Sequence, residues 1–156
     1  MNSDTHRRLE VVLDREIEAA RSLAAALDAE RAALTGNSAD AVVEKAAQKT
    51  ELFGMIEKLE AQRRELCDAA SICLPNSLRG RTPLISGVSD TVADRWRALL
   101  ELIAGCRVAN EVNGYIINAR RGQVNQLFQI LRGGAPVTYG PQGKTFASSL
   151  RELARA

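Results

Sequence analysis

The chain has 156 residues, a length that fits a single domain or one helical unit. Hydrophobic residues make up 46% of it but aromatic residues only 4%, so we expect a thin core of small side chains, as in helices packed on helices. The 21 basic and 19 acidic residues leave a net charge of +2, which argues against a strongly electrostatic nucleic-acid or membrane partner.

The first predicted helix covers about residues 4–34. Its apolar residues recur at alternating spacings of four and three, which is typical of a helix that packs along its length against other helices. They are Leu13, Ile17, Ala20, Ala24, Leu27 and Leu34. Arg31 interrupts this stripe. Gly36 is expected to end the helix and Asn37 or Ser38 to begin the next, and so short a connection predicts two antiparallel neighbours.

The second predicted helix covers about residues 38–73 and keeps the same rhythm of four and three. Its stripe consists of Leu52, Ile56, Leu59, Leu66, Ala70 and Cys73. Arg63 interrupts this stripe as well. Prolines and glycines are then frequent in residues 74–88, which predicts a connecting loop.

The third predicted helix is the longest and covers about residues 89–132, with Ser89 or Asp90 as its cap. The rhythm of four and three runs through it without a slip. The positions are Val92, Trp96, Leu99, Ile103, Cys106, Asn110, Asn113, Ile117, Arg120, Val124, Leu127 and Leu131. Gly133 and Gly134 are expected to end the helix.

Together these elements predict an all-α fold, an elongated, antiparallel and coiled-coil-like three-helix bundle over residues 1–134. Residues 135–156 are expected to form a flexible tail, because PVTYGPQGKT is rich in turn-forming residues. A short amphipathic segment follows in the tail, with Phe146, Leu150, Leu153 and Ala154 on one face.

The dipeptide Asn113-Gly114 is a common turn signal, yet it lies inside the third stripe. We interpret it as helix, because a turn gives no reason for the stripe to keep its phase across residues 106–131. Two interpretations of Asn110 and Asn113 stay open: they fix helix register, or they line a groove that receives a partner's helix. Gly114 is expected to allow close approach of a neighbouring helix. The suggested hydrogen-bond partners of the two amides are Gln48, Gln62 and Arg63.

No catalytic or metal-binding pattern is present in the sequence. Its single histidine, His6, lies near the terminus, and Cys67, Cys73 and Cys106 have no CxxC spacing. GPQGKT at 140–145 does not match a phosphate-binding loop. We therefore expect no enzyme activity, no cofactor and no bound metal. The sequence shows no secretory signal and no apolar run of about 20 residues, so we expect a cytoplasmic protein.

A motif pair late in the chain resembles the FlgN family of flagellar type III export chaperones. The pair is Asn110-x-x-Asn113-Gly114-x-x-Ile117, followed by Leu131, and then Thr138-Tyr139-Gly140-x-x-Gly143. Sequence similar to that of the same family also occurs earlier, at Glu44-Lys45, at Leu59 to Arg64 and at Asp94 to Trp96. The resemblance extends from the first helix to Gly143. The linker at 74–88 is longer and richer in proline than that family needs.

The resemblance implies a cytoplasmic chaperone that holds the hook-associated proteins FlgK and FlgL by their C-terminal helical segments. It also implies delivery of these clients to the export gate protein FlhA. The client surface is expected to consist of Asn110, Asn113, Gly114, Ile117, Val124, Leu127, Phe128, Leu131, Phe146, Leu150 and Leu153. By the same resemblance, the segment that docks on the gate is expected to contain Tyr139, Gly140 and Gly143.

Other interpretations of the same residues stay open. The apolar client residues are equally typical of core packing, and Tyr139 is equally suited to folding back on the bundle. A non-catalytic coiled-coil protein with a structural or regulatory role, which oligomerises through its stripes, is the second function class. Nucleic-acid binding through Arg120, Arg121 and the basic tail is the least supported, because the sequence has neither aromatic platforms nor a strong positive patch.

Overall fold

A computed structural model describes residues 3–36, 38–75 and 87–133, and three helices form within them. Helix α1 spans Ser3–Thr35, α2 spans Ala39–Ala70 and α3 spans Asp90–Leu131. The predicted all-α three-helix bundle is confirmed. The chain divides into two compact units, residues 1–113 and residues 114–156. The packing described in this subsection belongs to the first unit.

Local side-chain and backbone hydrogen bonds set the ends of the helices. Ser38 precedes α2 with an extended backbone, and its hydroxyl oxygen accepts a hydrogen bond from the Ala41 N–H at 3.3 Å. At the other end of α2, Ser71 has a left-handed backbone with φ at 54°, and the Ile72 N–H donates to the Cys67 carbonyl at 2.9 Å. Ser89 caps α3, because its hydroxyl oxygen accepts from the Val92 N–H at 3.4 Å.

The order of contacts between the helices establishes their directions. Glu16 of α1 pairs with Arg63 of α2, and Glu30 further along α1 pairs with Lys49 nearer the start of α2. The first two helices are therefore antiparallel. Helix α3 runs parallel to α1, since Asp14 pairs with Arg95 and, further along both helices, the Asn113 amide donates to the Leu27 carbonyl.

Helix α1 contributes the most deeply buried stripe of the bundle. Eight positions, at strictly alternating spacings of four and three, are each 3% exposed or less: Leu9, Leu13, Glu16, Ala20, Leu23, Leu27, Glu30 and Leu34. Four of the six predicted stripe residues belong to this set, but Ala24 is only half-buried and Leu23 takes its place. The prediction missed Glu16 and Glu30 because an apolar pattern does not count a carboxylate that has a partner.

The apolar core consists of two clusters along this stripe. In the first, α1 packs against the end of α2 and the start of α3 through Leu9, Leu13, Ile17, Ala20, Cys67, Ile72, Val92, Trp96 and Leu99. The second joins Leu23 and Leu27 to Cys106, with Leu52 and Ile56 of α2 partly buried beside them. Cys73, which was predicted in the second stripe, is exposed and lies beyond the end of α2.

Beside the first cluster, a buried polar group joins all three helices. The Arg63 Nε–H donates to both carboxylate oxygens of Glu16, at 3.2 and 3.0 Å. The guanidinium of Arg63 also lies over the Trp96 ring, 4.4 Å from its centroid, and the indole N–H of Trp96 donates to the Pro75 carbonyl at 2.9 Å. Burial raises the pKa of Glu16 more than the Arg63 charge lowers it. We call Glu16, Arg63 and Trp96 the first polar layer.

Every buried side-chain nitrogen and oxygen among the described residues has a hydrogen-bond partner. Such completeness is what makes buried charges tolerable, because an unpaired one loses its hydration without compensation. Within the same ranges, none of the helices has an apolar stretch that could cross a membrane.

We predict that Arg63→Ala lowers the free energy of unfolding at neutral pH by about 3–5 kcal/mol, because it leaves the Glu16 carboxylate buried without its cation. Urea titrations measure this loss. The loss should shrink as the pH is lowered, because burial already raises the pKa of Glu16 and protonation removes its unpaired charge. A carboxyl whose folded pKa lies above its unfolded value favours the folded state at low pH, and that contribution disappears as the pH rises through the folded pKa.

The matched control is Arg64→Ala. Arg64 follows Arg63 directly on α2, but it is exposed and pairs with Glu60. Its loss should stay within about 0.5 kcal/mol. Equal losses for the two variants would contradict the buried role of the first polar layer.

Candidate partner-binding surface

A second polar layer contains Asn110, one of the two asparagines in the α3 stripe. The Lys49 ammonium donates to the Glu30 carboxylate at 2.8 and 3.1 Å and to the Asn110 amide oxygen at 3.2 Å. Glu30 is 1% exposed, so its negative charge is held by Lys49 rather than by water. The layer therefore repeats the chemistry of the first one, with a glutamate of α1 and a cation of α2.

Asn113 completes this layer from α3. Its Nδ2 donates to the Leu27 carbonyl at 2.9 Å and to Glu30 at 2.8 Å, and its Oδ1 accepts from the Arg31 Nε–H at 3.1 Å. The side chain is fully buried. Its amide is thus used within the bundle, which supports the register interpretation. The role of both asparagines as contacts to a partner's helix stays a prediction.

The hydrogen-bond partners suggested from sequence were wrong. Neither asparagine bonds to Gln48, Gln62 or Arg63 among the described contacts; Lys49, Glu30, Arg31 and a backbone carbonyl serve instead. The interpretation of Gly114 is also wrong in one respect. No described atom lies within 4 Å of the position that a Cβ would take there, so close helix approach does not require this glycine.

Beyond Asn113, the second unit presents an exposed apolar face on α3. No described residue from 114 to 133 is buried, and Phe128 and Leu131 are 54% and 81% exposed. At 100° per residue, Ile117, Val124, Leu127, Phe128 and Leu131 share one helical face, which we call the C-terminal stripe. Contiguous apolar surface of this kind marks an interaction site more often than isolated apolar residues do.

All five residues belong to the client surface that is expected from the sequence. The structure brings them onto one face and leaves Val124, Leu127, Phe128 and Leu131 exposed, with Ile117 half-buried. Their competing assignment, core packing, does not apply to the four exposed residues within the described ranges. Six further predicted site residues lie outside the described ranges. They are Tyr139, Gly140, Gly143, Phe146, Leu150 and Leu153.

A second open surface lies in the first unit, between α2 and α3. This cleft has a volume of about 520 Å³, and Glu16 and Leu23 of α1 form part of its lining. Phe53 and Ile56 line it from α2, and Asn110 lines it from α3. This cleft was not predicted from the sequence. The sequence signal for it was the apolar stripe of α2, which Arg63 interrupts. In the structure, most positions of that stripe are only half-buried.

Comparisons with known proteins agree with one another. A family model described as FlgN protein matches residues 1–146 of the chain. Two relatives, each named Flagella synthesis protein FlgN, come from Salmonella typhimurium and Salmonella typhi. Each is 26% identical over 147 residues, which covers 90% of this chain and 92% of the relative. No solved structure shows a significant match.

We predict that polar substitution of the C-terminal stripe leaves the bundle stable. Leu127→Gln combined with Leu131→Gln should change the free energy of unfolding by no more than about 0.5 kcal/mol, because both side chains are exposed. Leu27→Ala, in the core, should cost about 2–5 kcal/mol in the same urea titration. A comparable loss in the stripe variant would show that these side chains are packed in solution.

Proposed function

The chain belongs to the FlgN family, and on that premise we propose that it is an export chaperone of the bacterial flagellum. It binds the C-terminal helical region of the hook-associated proteins FlgK and FlgL and delivers them to the export gate protein FlhA. The names of the two Salmonella relatives, which refer to flagella synthesis, support this role. The role is one of binding and involves no catalytic step.

The observation that carries the proposal is the exposed C-terminal stripe. Four large apolar side chains face solvent within fewer than three turns of α3, at spacings of three and four residues. An amphipathic helix that presents its own apolar side to this stripe would bury both. A helical segment that otherwise associates with its own kind is a client of this type.

The expected affinity is moderate, because the stripe is narrow. Full burial of one such side chain contributes about 1.5–3 kcal/mol, but association costs about 4–15 kcal/mol in lost freedom of motion, and interface side chains must also be ordered. A chaperone has to release its client at the gate, so an interface of this size suits transfer better than permanent storage. Such a hand-over takes place before export, in the cytoplasm.

The C-terminal segment that contains Tyr139, Gly140 and Gly143 is proposed to dock on the gate. Tyrosine combines a large apolar ring with a hydroxyl group, and such residues often anchor protein interfaces. In this division of tasks, Phe146, Leu150 and Leu153 extend the client surface.

The second candidate is a coiled-coil oligomer with a structural or regulatory role. The same exposed stripe favours it, because two copies could cover each other's apolar side chains. Light scattering on the purified chain separates the two functions. A stable higher oligomer that does not bind FlgK or FlgL would favour the second candidate.

We predict that Leu127→Gln combined with Leu131→Gln weakens binding of FlgK and FlgL at least tenfold, because the loss of two buried leucine contacts exceeds about 1.4 kcal/mol. Isothermal titration with the full chain measures the affinity. The matched control is Val43→Gln combined with Val108→Gln, at positions that are 70% and 61% exposed in the first unit.

The control should bind both clients like the wild-type chain. If the control variant lost binding and the stripe variant kept it, the client surface would lie on the first unit instead, and the proposed assignment would be wrong.

We further predict that Tyr139→Ala keeps client binding within about twofold while weakening binding to the cytoplasmic part of FlhA, because loss of a large anchoring ring costs on the order of 2 kcal/mol or more. Pull-downs of the chaperone–client complex with FlhA provide the measurement. Tyr115→Ala, at an exposed tyrosine of α3, is the control. Loss of client binding with an intact gate interaction would reverse the assignment.

A further inference from the structure

We infer that the partner helix received by the C-terminal stripe is acidic along one edge, and that its carboxylates pair with Arg121 and Arg132. This inference rests on the proposed binding role of the stripe. It adds the charge of the partner and the direction in which the partner lies.

The two arginines occupy one edge of the stripe. At 100° per residue, Arg121 and Arg132 lie about 60° and about 80° from Val124 around the helix, on the same side. They are 11 residues apart, which corresponds to about 16 Å along the axis. Both are exposed. A cation therefore flanks each end of the exposed part of the stripe, from Val124 to Leu131, on one side.

No carboxylate neutralises this edge within the surrounding sequence. Residues 112–151 contain neither aspartate nor glutamate. Arg120 is a further cation on this part of α3, and the other polar side chains there are uncharged amides: Asn118, Gln123, Asn125, Gln126 and Gln129. The stripe consequently has a rim of one sign, and a partner with the opposite sign along its matching edge is electrostatically complementary.

A second copy of the chain does not fit this rim. In an antiparallel pair of identical helices, the same edge of each copy faces the other, so Arg121 of one copy would approach Arg132 of the next. Like charges in such positions oppose association. A parallel pair would place each rim beside the opposite edge of the other copy, and residues 112–151 carry no carboxylate there either. Neither arrangement provides what the arginines lack.

The C-terminal segment of the same chain does not supply the missing charge either. Residues 134–156 carry Lys144, Arg151 and Arg155 against a single carboxylate, Glu152. Its net charge has the same sign as the rim. An amphipathic helix from another protein, with glutamate or aspartate about three turns apart beside its apolar face, is the occupant that satisfies both features.

The ion pairs should set the orientation of the partner more than the total affinity. Exposed pairs contribute little each and are screened by salt, whereas the apolar stripe supplies the larger part of the binding energy. Two arginines at one edge favour one direction and one register of the incoming helix. Opposed charge also speeds the encounter at low salt.

Three synthetic peptides test the inference against the full chain by fluorescence anisotropy. All have the same leucine pattern at helical spacing, and the edge positions carry glutamate, glutamine or lysine. The glutamate peptide should bind best and the lysine peptide worst, with roughly tenfold between them in low salt and less in about 0.5 M salt. Equal affinities, or better binding of the lysine peptide, would overturn the inference.

Charge reversal in the protein places the effect on the stripe. Arg121→Glu combined with Arg132→Glu should invert the order of the peptides, while Arg15→Glu combined with Arg21→Glu, at two exposed arginines of α1, should leave it unchanged. Leu127→Gln combined with Leu131→Gln should abolish binding of the glutamate peptide. Retained binding by that variant would place the peptide elsewhere and overturn the inference.

A parallel titration with intact FlgK and FlgL separates this inference from the proposed function. If both clients bind and the charge reversal at Arg121 and Arg132 has no effect, the inference fails and the proposed function stands. If neither client binds but the peptides show the expected order and its inversion, the inference stands and the proposed function fails. Circular dichroism confirms that each variant keeps its helices.

Discussion

The burial of two glutamates on α1 is the constraint on which the rest of the bundle depends. Glu16 and Glu30 lie 14 residues apart on the most buried stripe of the protein, and their partners Arg63 and Lys49 are also 14 residues apart. The third helix follows the same interval, with Trp96 in one layer and Asn110 in the other. Each polar layer therefore ties three helices together at the same relative height.

Such layers select one register among many with similar apolar packing. If α2 slipped by one heptad along α1, Glu16 would face Ile56 or Ala70, and its buried carboxylate would lose its cation. An unpaired buried charge costs several kcal/mol, whereas leucines and alanines exchange neighbours at little cost. The two layers thus provide specificity that the small, aromatic-poor core does not provide. Buried pairs of this kind contribute less to stability itself, because their desolvation offsets most of their attraction.

The second layer also marks where the packing of α3 changes. Asn113 is the last buried residue of α3, and the described residues after it are half-buried or exposed. The rhythm of four and three nevertheless continues through Ile117, Val124, Leu127 and Leu131. A single periodic pattern therefore serves two purposes along one helix. Its first part is covered by α1, and its last part is the surface that we propose for a partner.

Much of this was predictable from the sequence, since helical periodicity and capping residues are local signals. The three helices, the helical state of Asn113-Gly114 and the membership of Val124, Leu127, Phe128 and Leu131 in one face all follow from residue spacing. The burial of Glu16 and Glu30 does not follow from residue spacing, because a charged residue in a stripe normally indicates a solvent-exposed position. Those positions become part of the core only through pairing with Arg63 and Lys49. These partners lie on another helix, 47 and 19 residues later in the sequence.

What the sequence alone determined is therefore the set of helices and the faces that they offer, because both depend on neighbours within a few residues. The tertiary structure decided which polar side chains meet and which apolar residues stay uncovered. Asn113 and Leu131 illustrate the difference, as they occupy equivalent positions in one pattern. One is fully buried and the other is 81% exposed, and the physical reason is that the Asn113 turn of α3 packs against α1, whereas the described residues leave Leu131 exposed.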